Sequence, residues 1–363
     1  MRYLIFSTLA LFFHSVSAAP DFQAVVDSSG GEASYRTIGA ALAAAPAASE
    51  KPYVIYIRNG HYREKLTVNR SNIALIGESQ KSTLITYGAF AGQKMPGSDE
   101  TWGTFHSATL TVLAPDFSAG NLTIENSFDF LANDALDRDH PRKIGGTQAV
   151  ALALDGGSDR VAFRNVRISG FQDTLYANTG RSYFVDSIIE GNVDFIFDAG
   201  TALFENSDIV NRRRAGGRMP SGYITAPSTN IDSPYGFVFL RCQLRREDGV
   251  PAQSVPLGRP WHPTTDFDDG RYADPDAIGA SVFIDTYMDD HISREGWTSM
   301  RGTARDGTKS MVFTPESARF FEYLSRGPGA AVNAARRQLS TEEAMHYARD
   351  KVLRGWIPPF ADP

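Results

Sequence analysis

Two short segments of this chain carry the same pattern of reactive residues. Gly170-Phe171-Gln172-Asp173-Thr174-Leu175-Tyr176 and Gly191-Asn192-Val193-Asp194-Phe195-Ile196-Phe197 each open on glycine, carry aspartate at the same place and end on an aromatic residue. Two carboxylates brought close repel, so one keeps its proton while the other ionises, unless a cation intervenes. That separates them into an acid and a base or nucleophile. Gln172, beside the first aspartate, offers an amide donor suited to a developing oxyanion. Leu257-Gly258-Arg259-Pro260-Trp261 adds Arg259 as a cation to hold Asp194 ionised, and Trp261 as a flat apolar face for a sugar ring. The bland alternative is an Asn/Asp ladder that only satisfies turns; the nearby Gln, Arg and Trp weigh against it.

For the two aspartates to meet, the chain must stack them, and an internal repeat does this. Its copies are Phe163-Arg164-Asn165-Val166-Arg167-Ile168-Ser169-Gly170, Phe184-Val185-Asp186-Ser187-Ile188-Ile189-Glu190-Gly191, Phe204-Glu205-Asn206-Ser207-Asp208-Ile209-Val210-Asn211 and Phe239-Leu240-Arg241-Cys242-Gln243-Leu244. Phe leads each copy, a small or β-branched residue follows three places later, and Ile or Leu five later. The first three copies begin 21 and then 20 residues apart. Weaker copies flank them: Asn121-Leu122-Thr123-Ile124 at twice the spacing, Phe283-Ile284-Asp285-Thr286-Tyr287-Met288, and Asn72-Ile73-Ala74-Leu75.

A period near 20 is too short for a pair of helices and suits one coil of a solenoid. There is no leucine ladder, and the repeat positions favour strands. The expectation is an all-β chain wound as a parallel β-helix, with neighbouring strands about 4.8 Å apart. Asp173 and Asp194 then become neighbours on one face. A long loop is expected from Arg212 to Pro234. Short capping helices are expected in the Ala-rich stretch that Tyr35-Arg36-Thr37-Ile38 leads into, as far as Ala45, and from Met345 through Leu353 behind a Ser340/Glu343 capping box.

Met1 to Ala18 has a charged start at Arg2, a short apolar run and a small-x-small end at Val16-Ser17-Ala18, as a secretory signal does. That run is too short to span a bilayer about 30 Å thick. We therefore expect a leader at 1–18, one domain over 19–363, a secreted extracellular protein and no membrane partner. The single cysteine, Cys242, cannot form an internal disulfide, so the core must hold the mature protein. A net charge of −6 argues against nucleic acid as partner. The seven histidines show no metal-ligand spacing. Arg212-Arg213-Arg214 with Arg218 could attract an anionic polymer, although such runs are more often just solvated.

With these segments in view, the chain resembles the pectinesterase (pectin methylesterase) family. The likeness rests on Gly60-His61-Tyr62-Arg63-Glu64, Gly146-Thr147-Gln148-Ala149-Val150-Ala151-Leu152, the two aspartate segments and Leu257-Gly258-Arg259-Pro260-Trp261, in that order. It implies a right-handed parallel β-helix that removes methyl groups from galacturonate esters in pectin, without metal or cofactor. It also implies Asp194 as nucleophile, Asp173 as acid then base, Gln172 as oxyanion donor with Gln148 assisting, and Arg259 as the partner of Asp194. Tyr176, Phe197, Tyr223, Trp261, Trp297 and Met300 become candidate cleft walls. A capped solenoid has no obvious edge to pair, so a monomer is expected.

One departure stands out. The family usually carries glycine after the Phe-Ile-Phe run, and here the residue is Asp198. Its bland reading is a surface-turn substitution; its sharper reading is a third carboxylate near the pair. The same architecture hosts lyases and polygalacturonases, but neither a calcium cluster nor carboxylates placed about a glycosidic bond presents itself. A relative acting on another ester, or a non-catalytic sugar-binding solenoid, are the remaining rivals.

Overall fold

From Phe163 to Phe283 phenylalanine recurs once per coil, because each of these coils fills the same slot in the core. The computed structural model describes residues 22–31 and 33–360; the expected leader at 1–18 lies outside them. The chain winds as a parallel β-helix with three long sheets of ten, eight and six strands. Along the ten-stranded sheet, Phe163, Phe184, Phe204, Phe239 and Phe283 are in register. All five are fully buried, and their rings stack with centroids 4.3–4.8 Å apart. On the eight-stranded sheet, Ile124, Ile168, Ile189, Ile209, Leu244 and Met288 form a second column five residues further on.

The corner between these two sheets turns on a single left-handed residue. Asn121, Asn165, Asp186, Asn206, Arg241, Asp285 and Leu324 all have φ between +48° and +55°. Asn and Asp tolerate this region better than other L-residues, which accounts for the Asn/Asp bias of the repeat. The small residue after the corner points inward and satisfies backbone groups of the adjacent coil. Ser187 Oγ accepts from Val166 N, and Ser207 Oγ from Ser187 N, both at 3.1 Å.

Two expectations need correction, and the doubled spacing before Asn165 has a structural reason. Asn121 is directly adjacent to Asn165, one coil away, because Ile124 pairs with Ile168. The doubled spacing reflects an inserted segment within one coil. Ile73-Ala74-Leu75 belongs to the ten-stranded sheet, with Leu75 in the column of Ala119 and Phe163, so Asn72, left-handed at φ +56°, stands at the corner leading into that sheet and not at the one leaving it. The stretch expected as a loop from Arg212 to Pro234 contains the strand Thr225–Pro227, which extends the six-stranded sheet beside Ile196–Asp198.

The helix near the start spans Ile38–Ala44, capped by Thr37. Its first amides donate to the Glu64 carboxylate at 2.8 and 2.9 Å, which gives the Gly60–Glu64 motif a structural purpose. The Ser340/Glu343 capping box is present, but it starts Thr341–Met345, and a second turn follows at Arg349–Val352. These turns lie along the flank of the ten-stranded sheet, where Val352 and Leu353 cover Tyr183, Leu203 and Val238. The last coil is covered by the segment after it, where fully buried Arg336 pairs with Glu322 at 2.6 Å.

The phenylalanine column carries the core, so Phe204→Ala should destabilise the protein by about 3–5 kcal/mol. A fall in the urea midpoint measures this; Asp186→Asn, at an exposed corner that suits Asn, should leave the midpoint within about 0.5 kcal/mol of wild type. An unmoved midpoint for Phe204→Ala would contradict the role given to the column.

Candidate active site

The site forms where the eight-stranded sheet passes to the six-stranded one, because connection length varies strongly there. Tyr87 to Leu110 and Asn126 to Leu152 are long excursions, while Ser169 to Leu175 and Gly191 to Ile196 are tight turns. The tight turns make a floor and the long ones make walls. Asp173 and Asp194 lie on the floor, both in the left-handed region at φ +61° and +50°. Asp173 N donates to Val193 O at 3.0 Å, and Leu175 pairs with Ile196 just beyond. Gly191 is required by space: a Cβ there would lie 2.3 Å from Phe195 Cβ and 2.6 Å from Thr174 Oγ1.

Arg259 reaches this floor from 65 positions away and grips Asp194 through both carboxylate oxygens, at 2.8 and 2.5 Å. Such paired, charge-assisted bonds favour the ionised carboxylate and fix its direction. The guanidinium also lies 3.9 Å over the Tyr223 ring, and Arg259 N donates to Thr225 O at 3.0 Å. Gly258 allows this approach, since a Cβ would meet Thr225 Oγ1 at 2.1 Å. Among the described residues Asp173 has no such partner. Burial, followed by the charge of Asp194, pushes its carboxyl well above the usual range, against the pull of Arg259. Asp198 adds to the upward push. The two carboxyls therefore stand in unequal surroundings, one gripped by a cation and the other pushed up by burial and like charge.

Gln172 is oriented by a residue the sequence reading gave no role. Thr147 Oγ1 donates to Gln172 Oε1 at 2.8 Å, which turns the amide NH2 away from that bond and leaves it free for an oxyanion. A cleft of about 290 Å³ is lined by Gln148, Gln172, Asp173, Asp194, Phe197, Arg259, Trp261 and Met300. It is also lined by Thr104, Phe105 and Ala226, which the sequence did not reveal. Ala226 could have been found from the strand Thr225–Pro227, whose register sets it beside Phe197. Phe105 is 45 % exposed at the rim; an aromatic residue in a long excursion was its only signal.

Three expected wall residues lie elsewhere. Tyr176 is buried behind the wall, its ring between Phe105 and Phe197 with centroids 4.9 and 5.1 Å away. Tyr223 supports Arg259 from outside the lining. Trp297 is a core residue, stacked on Phe320 at 4.3 Å. The arginine run is largely occupied. Arg212 stacks over Phe171 at 3.8 Å, and Arg214 and Arg218 pair with Asp134 at 3.0 and 3.3 Å. These contacts fasten the inserted helix Phe130–Asp134 beside the site. Asp198 is no surface turn: it is buried in the strand Ile196–Asp198.

Known proteins resemble this chain in sequence and fold. The family model described as Pectinesterase matches residues 23–355. Pectinesterase A of Dickeya chrysanthemi is 50% identical over 355 residues, covering 96% of this chain and 95% of the relative. The solved pectin methylesterase from Erwinia chrysanthemi is 50% identical with a TM-score of 0.89, covering 94% of this chain and 99% of that one. A pectin methylesterase solved in complex with a hexasaccharide is 49% identical with a TM-score of 0.89, covering 95% and 100%.

Asp198 makes stability depend on pH. Burial is the main cause pushing its carboxyl up to about 7, with Asp155 adding and the Ser228 hydroxyl opposing. A group raised on folding stabilises fully below its unfolded value and loses that contribution as pH rises through its folded value. Asp198→Asn should therefore unfold at a higher temperature than wild type at pH 8, by the equivalent of about 2–4 kcal/mol, and nearly with it at pH 4. An equal difference at both pH values would contradict the burial of an uncompensated carboxyl.

Proposed function

The chain belongs to the pectinesterase family, and from that premise we propose that it hydrolyses galacturonate methyl esters in pectin with Asp194 as nucleophile, Asp173 as acid then base, and Gln172 as oxyanion donor. The observation that carries this reading is the unequal pair: Asp194 clamped by Arg259, and Asp173 without that clamp, its carboxyl pushed up by burial and like charge. An Asp194 oxygen attacks the ester carbonyl carbon, and the oxyanion forms against the Gln172 amide with Gln148 beside it. Collapse breaks the bond to the methoxy group, which takes the Asp173 proton and leaves as methanol. Asp173, now a carboxylate, takes a proton from water as that water attacks the acyl-enzyme carbonyl. The galacturonate acid leaves, and Asp194 is regenerated. Splitting the hydrolysis in two replaces one difficult displacement by two easier ones.

Trp261, Phe197 and Met300 give the sugar ring its apolar contacts at the cleft. The hexasaccharide complex of a similar enzyme supports a polymeric substrate lying along it. No metal or cofactor enters any step. We further propose export by the leader at 1–18, a single pectinesterase domain over 19–363, and extracellular action as a monomer. Among the described residues no helix is long and apolar enough to cross a membrane.

The test is methanol release from highly methylated pectin, followed together with chain cleavage. Wild type should release methanol and leave the chain intact, and Asp194→Ala should release none. Chain cleavage, or full activity in that variant, would overturn the reading. Gln172→Ala should lower kcat by about 10²–10³ with little change in KM, as for loss of an oxyanion donor. Thr147→Val should lower kcat by about tenfold through the freed amide, and Thr147→Ser should restore it. If Val and Ser behave alike, Thr147 does not orient Gln172.

A further inference from the structure

Phe105 is a large apolar side chain that the core leaves nearly half exposed, at 45%. It lines the same space of about 290 Å³ as the two aspartates. Its covered face lies on the Tyr176 ring, with centroids 4.9 Å apart and a tilt of 39°, and its other face adds apolar surface to the cleft. The backbone around it is held. Gly103 N donates to Ala91 O at 3.0 Å, and Ala91 N to Gln148 O at 2.8 Å. Ser107 Oγ donates to Thr104 O at 2.7 Å and accepts from Val150 N at 3.1 Å. These bonds pin the turn that carries Phe105 to the segment from Gln148 to Val150.

That segment fixes which end of the cleft Phe105 closes. Ala149 N donates to Gln172 O at 3.1 Å and Ala151 N to Thr174 O at 2.8 Å, so Val150 lies alongside Asp173. Asp173 N donates in turn to Val193 O at 3.0 Å, which sets Asp194 one coil further on. Trp261 belongs to the opposite end. Its amide donates to Pro227 O at 3.1 Å, and Pro227 pairs with Asp198 from the coil beyond Asp194. The turn of Phe105, then Asp173, then Asp194, then Trp261 follow one another along the axis of the solenoid.

We propose that Phe105 is a specificity-determining residue that closes the leaving-group side of the cleft and restricts the ester to methyl. This rests on Asp173 being the acid of the proposed reaction. The departing oxygen must come within hydrogen-bond reach of Asp173, and its alkyl group then lies on the Phe105 side, away from Asp194 and Trp261. A methyl group fits against the open face of the ring. Each further carbon has to push the ring aside, and the ring has little room to yield. Tyr176 stands behind it, itself packed against Phe197 with centroids 5.1 Å apart, and the turn on either side is pinned. The alcohol that leaves takes the Asp173 proton whatever its alkyl group, so the selection is by size and not by a different reaction.

The experiment measures kcat/KM for alcohol release from methyl-esterified and ethyl-esterified polygalacturonate of equal degree of esterification, for wild type, Phe105→Ala and Phe105→Leu. Thermal melts establish that each variant is folded, and Phe105→Leu carries the test if Phe105→Ala does not fold. Wild type should prefer the methyl ester by about tenfold or more, as for one extra methylene at a closed site. Phe105→Ala should raise the ethyl-to-methyl ratio by about tenfold, and Phe105→Leu by about threefold. An unchanged ratio in the folded variants would overturn the proposal, including the case where both esters lose activity equally, which marks a platform for the sugar alone. A wild type that takes the two esters equally well would overturn it too. A wild type that hydrolyses neither ester sinks the esterase reading and this proposal with it, whereas methanol release with an unchanged ratio sinks this proposal alone.

Discussion

Everything in this molecule depends on the hydrogen-bond ladder between parallel coils. Each coil is held one strand spacing from the next, so a residue type that recurs once per coil becomes a column. Phe163 to Phe283 make a column of stacked rings. Asn121 to Leu324 make a column of left-handed corners. Asp173 and Asp194 make a column of two on the floor of the cleft. The forced proximity of two carboxylates follows from the same ladder that builds the core, with no separate device needed.

The ladder alone would leave two equivalent acids. Their difference comes from outside the column. Arg259 arrives from a later part of the chain, over the Tyr223 ring and through a gap that only Gly258 allows, and it grips one aspartate. The other aspartate faces burial and like charge. Connection length does the rest. Tight turns expose the pair at the floor, while excursions before and after bring Thr104, Phe105, Gln148 and Trp261 around it. The arginine run that looked suited to a polymer instead secures one of these walls through Phe171 and Asp134.

The columns were legible because they are local and periodic. Phe at the head of each copy, a small residue three later and Ile or Leu five later all fall in register where expected. Reading went astray where the period breaks. An insertion within one coil doubled the apparent spacing before Asn165, and a strand at Thr225–Pro227 was hidden in what looked like a loop. Trp297 resembled a cleft aromatic, but its ring stacks on Phe320 in the core. No periodicity says on which side of a coil a single aromatic falls.

The sequence by itself determined the solenoid, the order of its columns and the meeting of Asp173 with Asp194, because these follow from spacing along one repeating unit. Only the tertiary structure decided that Arg259 reaches Asp194, that Thr147 turns Gln172 and that Asp198 is buried. Those outcomes depend on how irregular connections of different length fold back over the coils. They are contacts between distant parts of the chain, set by packing and burial, and the repeat holds no record of them.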